Sequence, residues 1–150
     1  MKPKVPPLLL VVLIGIAMYL LAPHLPAINI GQKFSLLLSA VVFTVGACVA
    51  ILAIFDFRRA HTTVDPLNIE NVSTLVTSGV FGMSRNPMYL GFALFLLAFV
   101  IYLNSPVLLV GVAGFILYIT MFQIVPEEQA MLKKFGDEYR GYMLKVRRWV

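Results

Sequence analysis

Two short polar stretches of this chain carry side chains that can bind and process a charged ligand. The first is Arg85-Asn86-Pro87-Met88-Tyr89, closed by Gly91; the second is Pro126-Glu127-Glu128. Arginine presents a planar fork of donors that matches a carboxylate or a phosphate. Paired carboxylates can offset a cationic ligand, hold its hydroxyls, or receive a proton as a general base. Tyr89 lies four residues beyond Arg85, so a helix brings its hydroxyl to the same ligand. Each residue also has a plain structural reading. Asn86 and Pro87 suit the start of a helix, Arg85 a snorkelling position at a membrane boundary, and Tyr89 an aromatic belt. Gly91 suits close helix packing, and the glutamates suit the positive end of a helix dipole. What favours chemistry is their meeting: the intervening 41 residues hold no charge and read as a hairpin. Its two ends must return within one helix-pair spacing, about 8–10 Å. An arginine facing two carboxylates at a lipid boundary is a functional arrangement by default. Metal chemistry is not indicated, since Cys48 is the single cysteine and only two histidines occur.

The elements that position these residues follow from composition. The 150 residues are 60% hydrophobic and 13% charged, with a mean hydropathy of +0.90. Soluble domains run about 45–50% apolar and about 25% charged. A chain this small cannot bury such an excess within itself. A soluble dinucleotide-binding domain, a DNA-binding module and a disulfide-stapled secreted domain are thereby excluded. Crossing about 30 Å of hydrocarbon takes roughly 20 helical residues. The uncharged intervals predict four transmembrane helices, at 7–21, 34–55, 88–103 and 107–125. Asn104-Ser105-Pro106 makes the turn between the last two. The expected fold is an all-α integral membrane protein forming a single membrane domain over 1–150. Residues 1–55 supply two scaffold helices, with Gly46 and Ala50 available for packing, and 56–150 supply the loop, hairpin and tail that carry the chemistry.

Eleven of the twelve basic residues fall on one side of such a fold and only Lys33 on the other. The positive-inside rule then predicts both termini and the polar segments in the cytoplasm, at the inner membrane in a bacterium. The basic balance reflects topology and anionic lipid rather than nucleic acid. The start resembles a signal peptide, but Ala22-Pro23-His24 is a poor cleavage context, so helix 1 is retained. Asn71-Val72-Ser73 matches a glycosylation acceptor, discounted by its inner location. His61 is the one cytoplasmic histidine and a candidate ligand contact. In the tail, Gly136 reads as the residue after a helix end. Beyond it, Tyr139, Tyr142, Lys145, Arg148 and Trp149 read as an amphipathic segment against anionic lipid.

At these residues the sequence resembles the isoprenylcysteine carboxyl methyltransferases and related membrane phospholipid methyltransferases. The pieces are Leu75-Val76-Thr77-Ser78-Gly79-Val80-Phe81, Arg85-Asn86-Pro87-Met88-Tyr89-Leu90-Gly91, and Glu127-Glu128 followed by Leu132, Phe135-Gly136, Tyr139 and Tyr142. Phe57-Arg58-Arg59-Ala60-His61 resembles the family's cytoplasmic lead-in, so the likeness covers about residues 55–148. Asn86 stands where better-known members carry histidine; it can hydrogen-bond but cannot titrate near neutrality. The resemblance implies S-adenosylmethionine as methyl donor and a lipid or prenylated small molecule as acceptor, entering from the bilayer. With it come roles. Arg85, Tyr89 and Glu127 are expected to act on the acceptor and in catalysis. Gly79, Val80, Asn86, Pro87, Gly91, Glu127, Glu128 and His61 are expected to bind the cofactor. A carboxylate acceptor is favoured over a phospholipid amine. Sterol reductases using NADPH resemble the same hairpin and tail, and a small non-enzymatic membrane subunit is the remaining alternative.

Overall fold

Each apolar run forms a helix in the computed structural model, which describes residues 5–28, 30–59 and 74–150. Helix α1 is Pro7–Leu21, with Pro7 in the first turn where its missing N–H is not needed. A 3-10 turn at Ala22–His24 ends it. Helix α2, Gln32–Arg59, is 28 residues long and overruns the expected 34–55 at both ends. Its last turn carries Arg58 and Arg59, which favour the negative end of the helix dipole. Helix α3 is Pro87–Leu103 and helix α4 begins at Leu109. Between them Asn104 adopts the left-handed conformation at φ 54, which asparagine tolerates better than most residues.

That turn is tied to the rest of the bundle. The Ser105 hydroxyl donates to the Pro26 carbonyl at 3.0 Å, and the Ile28 N–H donates to the Asn104 carbonyl at 2.8 Å. Asn104 Nδ2 donates to Ser35 Oγ at 3.1 Å. Met18 of α1, Leu96 of α3, and Phe115 and Ile119 of α4 fill the core between these helices.

Helices α2 and α3 cross backbone to backbone. A Cβ on Gly91 would lie 2.8 Å from the Gly46 carbonyl oxygen and 2.9 Å from Ala50 Cβ. The expected packing role of Gly46 and Ala50 is met here, and Gly91 is their partner. Gly91 faces α2 and has a packing role there.

A correction concerns the end of the hairpin. Helix α4, Leu109–Ile119, does not stop near residue 125. It widens into a π-helical turn at Thr120–Ile124 and continues as α5, Val125–Lys145. Proline inside an α-helix clashes with the carbonyl four residues back and removes a hydrogen bond. The wider turn just before Pro126 accommodates it without ending the helix. Glu127 and Glu128 therefore sit mid-helix, and the helix-start explanation for them fails. The true break is at Gly136, whose φ of 53 and ψ of −122 turn the chain.

Among the described residues, three stretches are long and apolar enough to cross a membrane: Pro7–His24, Gln32–Arg59 and the 40-residue Pro106–Lys145. Helix α3 is a shorter apolar helix of 17 residues. The protein is all-α, and its apolar helices fit a small membrane-embedded bundle.

Candidate active site

The hairpin carries Arg85 and the glutamates to one end of the bundle. Arg85 Nη2 lies 3.2 Å from Glu128 Oε1, with both side chains about nine-tenths buried at 8% exposure. Successive helical residues point roughly 100° apart. Glu128 thus faces Arg85 while Glu127 faces α3, where the Tyr89 hydroxyl donates to its Oε1 at 2.8 Å. Gln123, one turn earlier and buried, donates to the same oxygen.

After Gly136 the chain doubles back, and its last residues close the site. Arg148 forks onto Glu128, with Nε 3.0 Å from Oε1 and Nη2 2.7 Å from Oε2. Those hydrogen bonds hold the Arg148 guanidinium protonated beyond its ordinary range. The tail's backbone serves as an acceptor: the Arg85 N–H donates to the Arg147 carbonyl at 3.0 Å, and Asn86 Nδ2 donates to the Arg148 carbonyl at 2.9 Å. Trp149 Nε1 donates to Thr120 Oγ1 at 3.3 Å, clipping the tail to the π-helical turn. Tyr142 donates to the Phe81 carbonyl at 2.6 Å, which anchors α5 against the approach to α3.

Arg85, Tyr89, Glu127, Glu128 and Tyr142 border a cavity of about 390 Å³, within the range of small-molecule sites at about 300–1,000 Å³. Its walls are mostly apolar, with Leu8 from α1, Phe57 from α2, Leu75, Phe92 and Met131 among them. Its polar side includes Arg85, Asn86, Tyr89, Glu127 and Glu128. Arg85 Nε and Nη1 are buried there without a hydrogen-bond partner. Leaving a buried charged donor unsatisfied costs at least about 1–3 kcal/mol. The arrangement suits a ligand with an anionic head and an apolar body.

Six sequence-predicted residues thus meet at one cavity: Arg85, Asn86, Pro87, Tyr89, Glu127 and Glu128. Asn86 occupies the helix-capping position, yet its side chain makes no capping bond and reaches the tail instead. Gly79 and Val80 stand outside the cavity lining. Gly79 has φ 62 and packs so tightly on Asp56 that a Cβ would overlap its carboxylate, while the Val80 N–H donates to Asp56 Oδ2 at 3.1 Å. They anchor the approach to α3 onto the end of α2. Gly91 packs on α2, as noted above. His61 and the Asn71-Val72-Ser73 triplet lie outside the described residues. Sequence reasoning missed Gln123, Asp56 and Arg148. The four-residue spacing of Gln123 and Glu127 was a usable signal. For Arg148 there was none, and the tail read as lipid-facing folds back as part of the site.

The fold and site are those of a membrane-associated helical protein with a buried ionic cluster, and its family match makes it methyltransferase-like. The phospholipid methyltransferase family matches residues 34–138, and the chain belongs to that family. An uncharacterized protein of Haemophilus influenzae is 51% identical over 63 residues, which are 42% of this chain and all of that protein. A probable protein-S-isoprenylcysteine O-methyltransferase of Oryza sativa subsp. japonica is 29% identical over 109 residues, 71% of this chain and 56% of the relative. Protein-S-isoprenylcysteine O-methyltransferase A of Arabidopsis thaliana is 30% identical over 107 residues, 71% of this chain and 54% of the relative. The chain thus spans about half the length of these plant relatives. No solved structure matches it.

Proposed function

We propose that the protein transfers a methyl group from S-adenosylmethionine to a lipid-like acceptor whose head is a carboxylate, at a site facing the cytoplasm. The observation that carries this reading is buried Arg85, which lines a cavity with apolar walls and holds two donors without a partner. The cytoplasmic placement rests on the bias of Lys and Arg toward that end.

The residues fit the donor. Both hydrogen bonds onto Glu127 land on Oε1, so Oε2 is the oxygen left to a ligand's hydroxyl or ammonium group. Glu128 is committed to two arginines, which leaves the donor's polar parts to Glu127, with Asn86 and Tyr89 beside it. Bound S-adenosylmethionine supplies a methyl group on a sulfonium, which a carboxylate accepts without any proton changing hands. Arg85 then orients the acceptor's carboxylate through its fork, and the apolar walls exclude water from the exchange. Methylation of a lipid amine draws on the same geometry in one respect: Glu127, within the cavity, would receive the amine's proton.

The test is titration of S-adenosylmethionine into the purified protein in detergent, beside a methyl-transfer assay on a prenylated carboxylate. Arg85→Ala should keep most donor affinity while turnover falls by about a hundredfold or more, the scale of lost orientation and charge stabilisation. Glu127→Ala should weaken donor binding by roughly ten- to a hundredfold. Loss of donor binding in the arginine variant alone would exchange the two roles. A parent protein that binds no donor would end the reading.

A further inference from the structure

Glu128 carries one negative charge and meets two guanidinium groups. They do not share it evenly. Arg148 takes both oxygens, at 3.0 and 2.7 Å, while Arg85 reaches only Oε1 through one nitrogen at 3.2 Å. Arg85 is left with two buried donors unused, though its side chain is only 8% exposed. Bidentate pairing is the strongest mode open to an arginine and a carboxylate. Buried beside Glu128 with no competitor, Arg85 would be drawn into that mode, and its charge would be spent internally. Arg148 occupies the position Arg85 would otherwise take, and it can do so because the tail is fixed at three further points. The Arg147 and Arg148 carbonyls accept from Arg85 and Asn86, and Trp149 is held by Thr120.

We infer that Arg148 is a positioning residue: it neutralises Glu128 so that the charge of Arg85 and its two unpartnered donors stay available to the acceptor's anionic head. The inference rests on the reading of Arg85 as the acceptor's anchor. It assigns to the tail a part in substrate selectivity, beyond any contact with lipid.

A binding measurement tests it without turnover. The probes are a long-chain alkylthioacetate, a carboxylate on an apolar tail, and its uncharged amide, each titrated into the full protein in detergent. The parent should prefer the carboxylate by about tenfold or more, as expected for one charge-assisted hydrogen-bonded contact. Arg148→Gln should bring the preference close to one while amide binding persists. Glu128→Gln added to that variant should restore the preference, because no carboxylate then competes for Arg85. A merely structural role for Arg148 would lower both probes together and would not be rescued by removing a second charge. Retained preference in Arg148→Gln, or no restoration in the double variant, overturns the inference. Should the glutamine variant not fold, Arg148→Lys serves in its place, with a severalfold reduced preference expected and an unchanged one overturning the idea. A parent with no preference would remove the anchoring role of Arg85 as well, so the two failures are distinguishable.

Discussion

Tyr89 and Gln123 converge on one oxygen of Glu127, and this fixes which face of that carboxylate a ligand can use. Tyr89→Phe removes one of the two tethers and leaves the ring's packing in place. Donor affinity should fall by about three- to tenfold, since a single hydrogen bond contributes about 0.5–1.5 kcal/mol net. Thermal stability should change little. Donor titration and a melting curve on the same preparation check both. At this scale the sequence was legible wherever partners lie at the two ends of one hairpin. Arg85 and Glu128 could be paired before any coordinates, because an uncharged apolar tract between them had to turn once and return. Arg148 could not be so placed. Its partner lies twenty residues back, and the return depends on one backbone conformation at Gly136 that no spacing rule announces.

Among the elements, α2 and α3 cross with their backbones in close contact. Gly91→Val would drive a side chain into the Gly46 carbonyl oxygen, 2.8 Å from the first added atom, and backbone there cannot yield as a flexible side chain would. The expected cost is about 1–3 kcal/mol, read as a lowered melting temperature in detergent. Gly141→Ala is the matched control, since its Cβ would meet nothing within 4 Å. Its melting temperature should hold or rise slightly, given the helix preference of alanine. The four apolar helices and the Asn104 turn were readable from run length and turn chemistry. The continuity of α4 into α5 was not. Pro126 is an ordinary marker of a helix start, and the π-helical turn that absorbs it has no signature in residue type.

For the whole molecule, the cavity end should face the cytoplasm. Single cysteines at Val107 and at Glu138, in a Cys48→Ser background, give the measurement. Both positions are exposed, at opposite ends of the long α4–α5 helix. An impermeant maleimide applied to intact cells should label position 107 and spare 138. Labelling at 138 from outside would invert the bundle and move the site to the other face. Charge leaves 34–55 and 86–126 and collects in the segments beside them. What charge could not reveal is how closely the end of α2 joins the site, through Phe57 in the cavity wall and Asp56 beneath the approach to α3.

The continuous helix from Pro106 onward has one more consequence. Twenty-one residues separate Pro106 from Glu127, which at about 1.5 Å per residue is about 30 Å, nearly the thickness of a bilayer's hydrocarbon layer. If the bundle spans the bilayer as proposed, the helix acts as a ruler, with one end tied to the far turn and Glu127 and Glu128 at the near headgroup level. A thicker membrane would submerge those carboxylates, and a polar donor would have to leave water to reach them. A thinner one would lift the cavity's apolar walls into water and away from the acceptor's tail. The acyl-chain length of the host membrane, through such mismatch, becomes a setting of the proposed activity as real as any residue in the site.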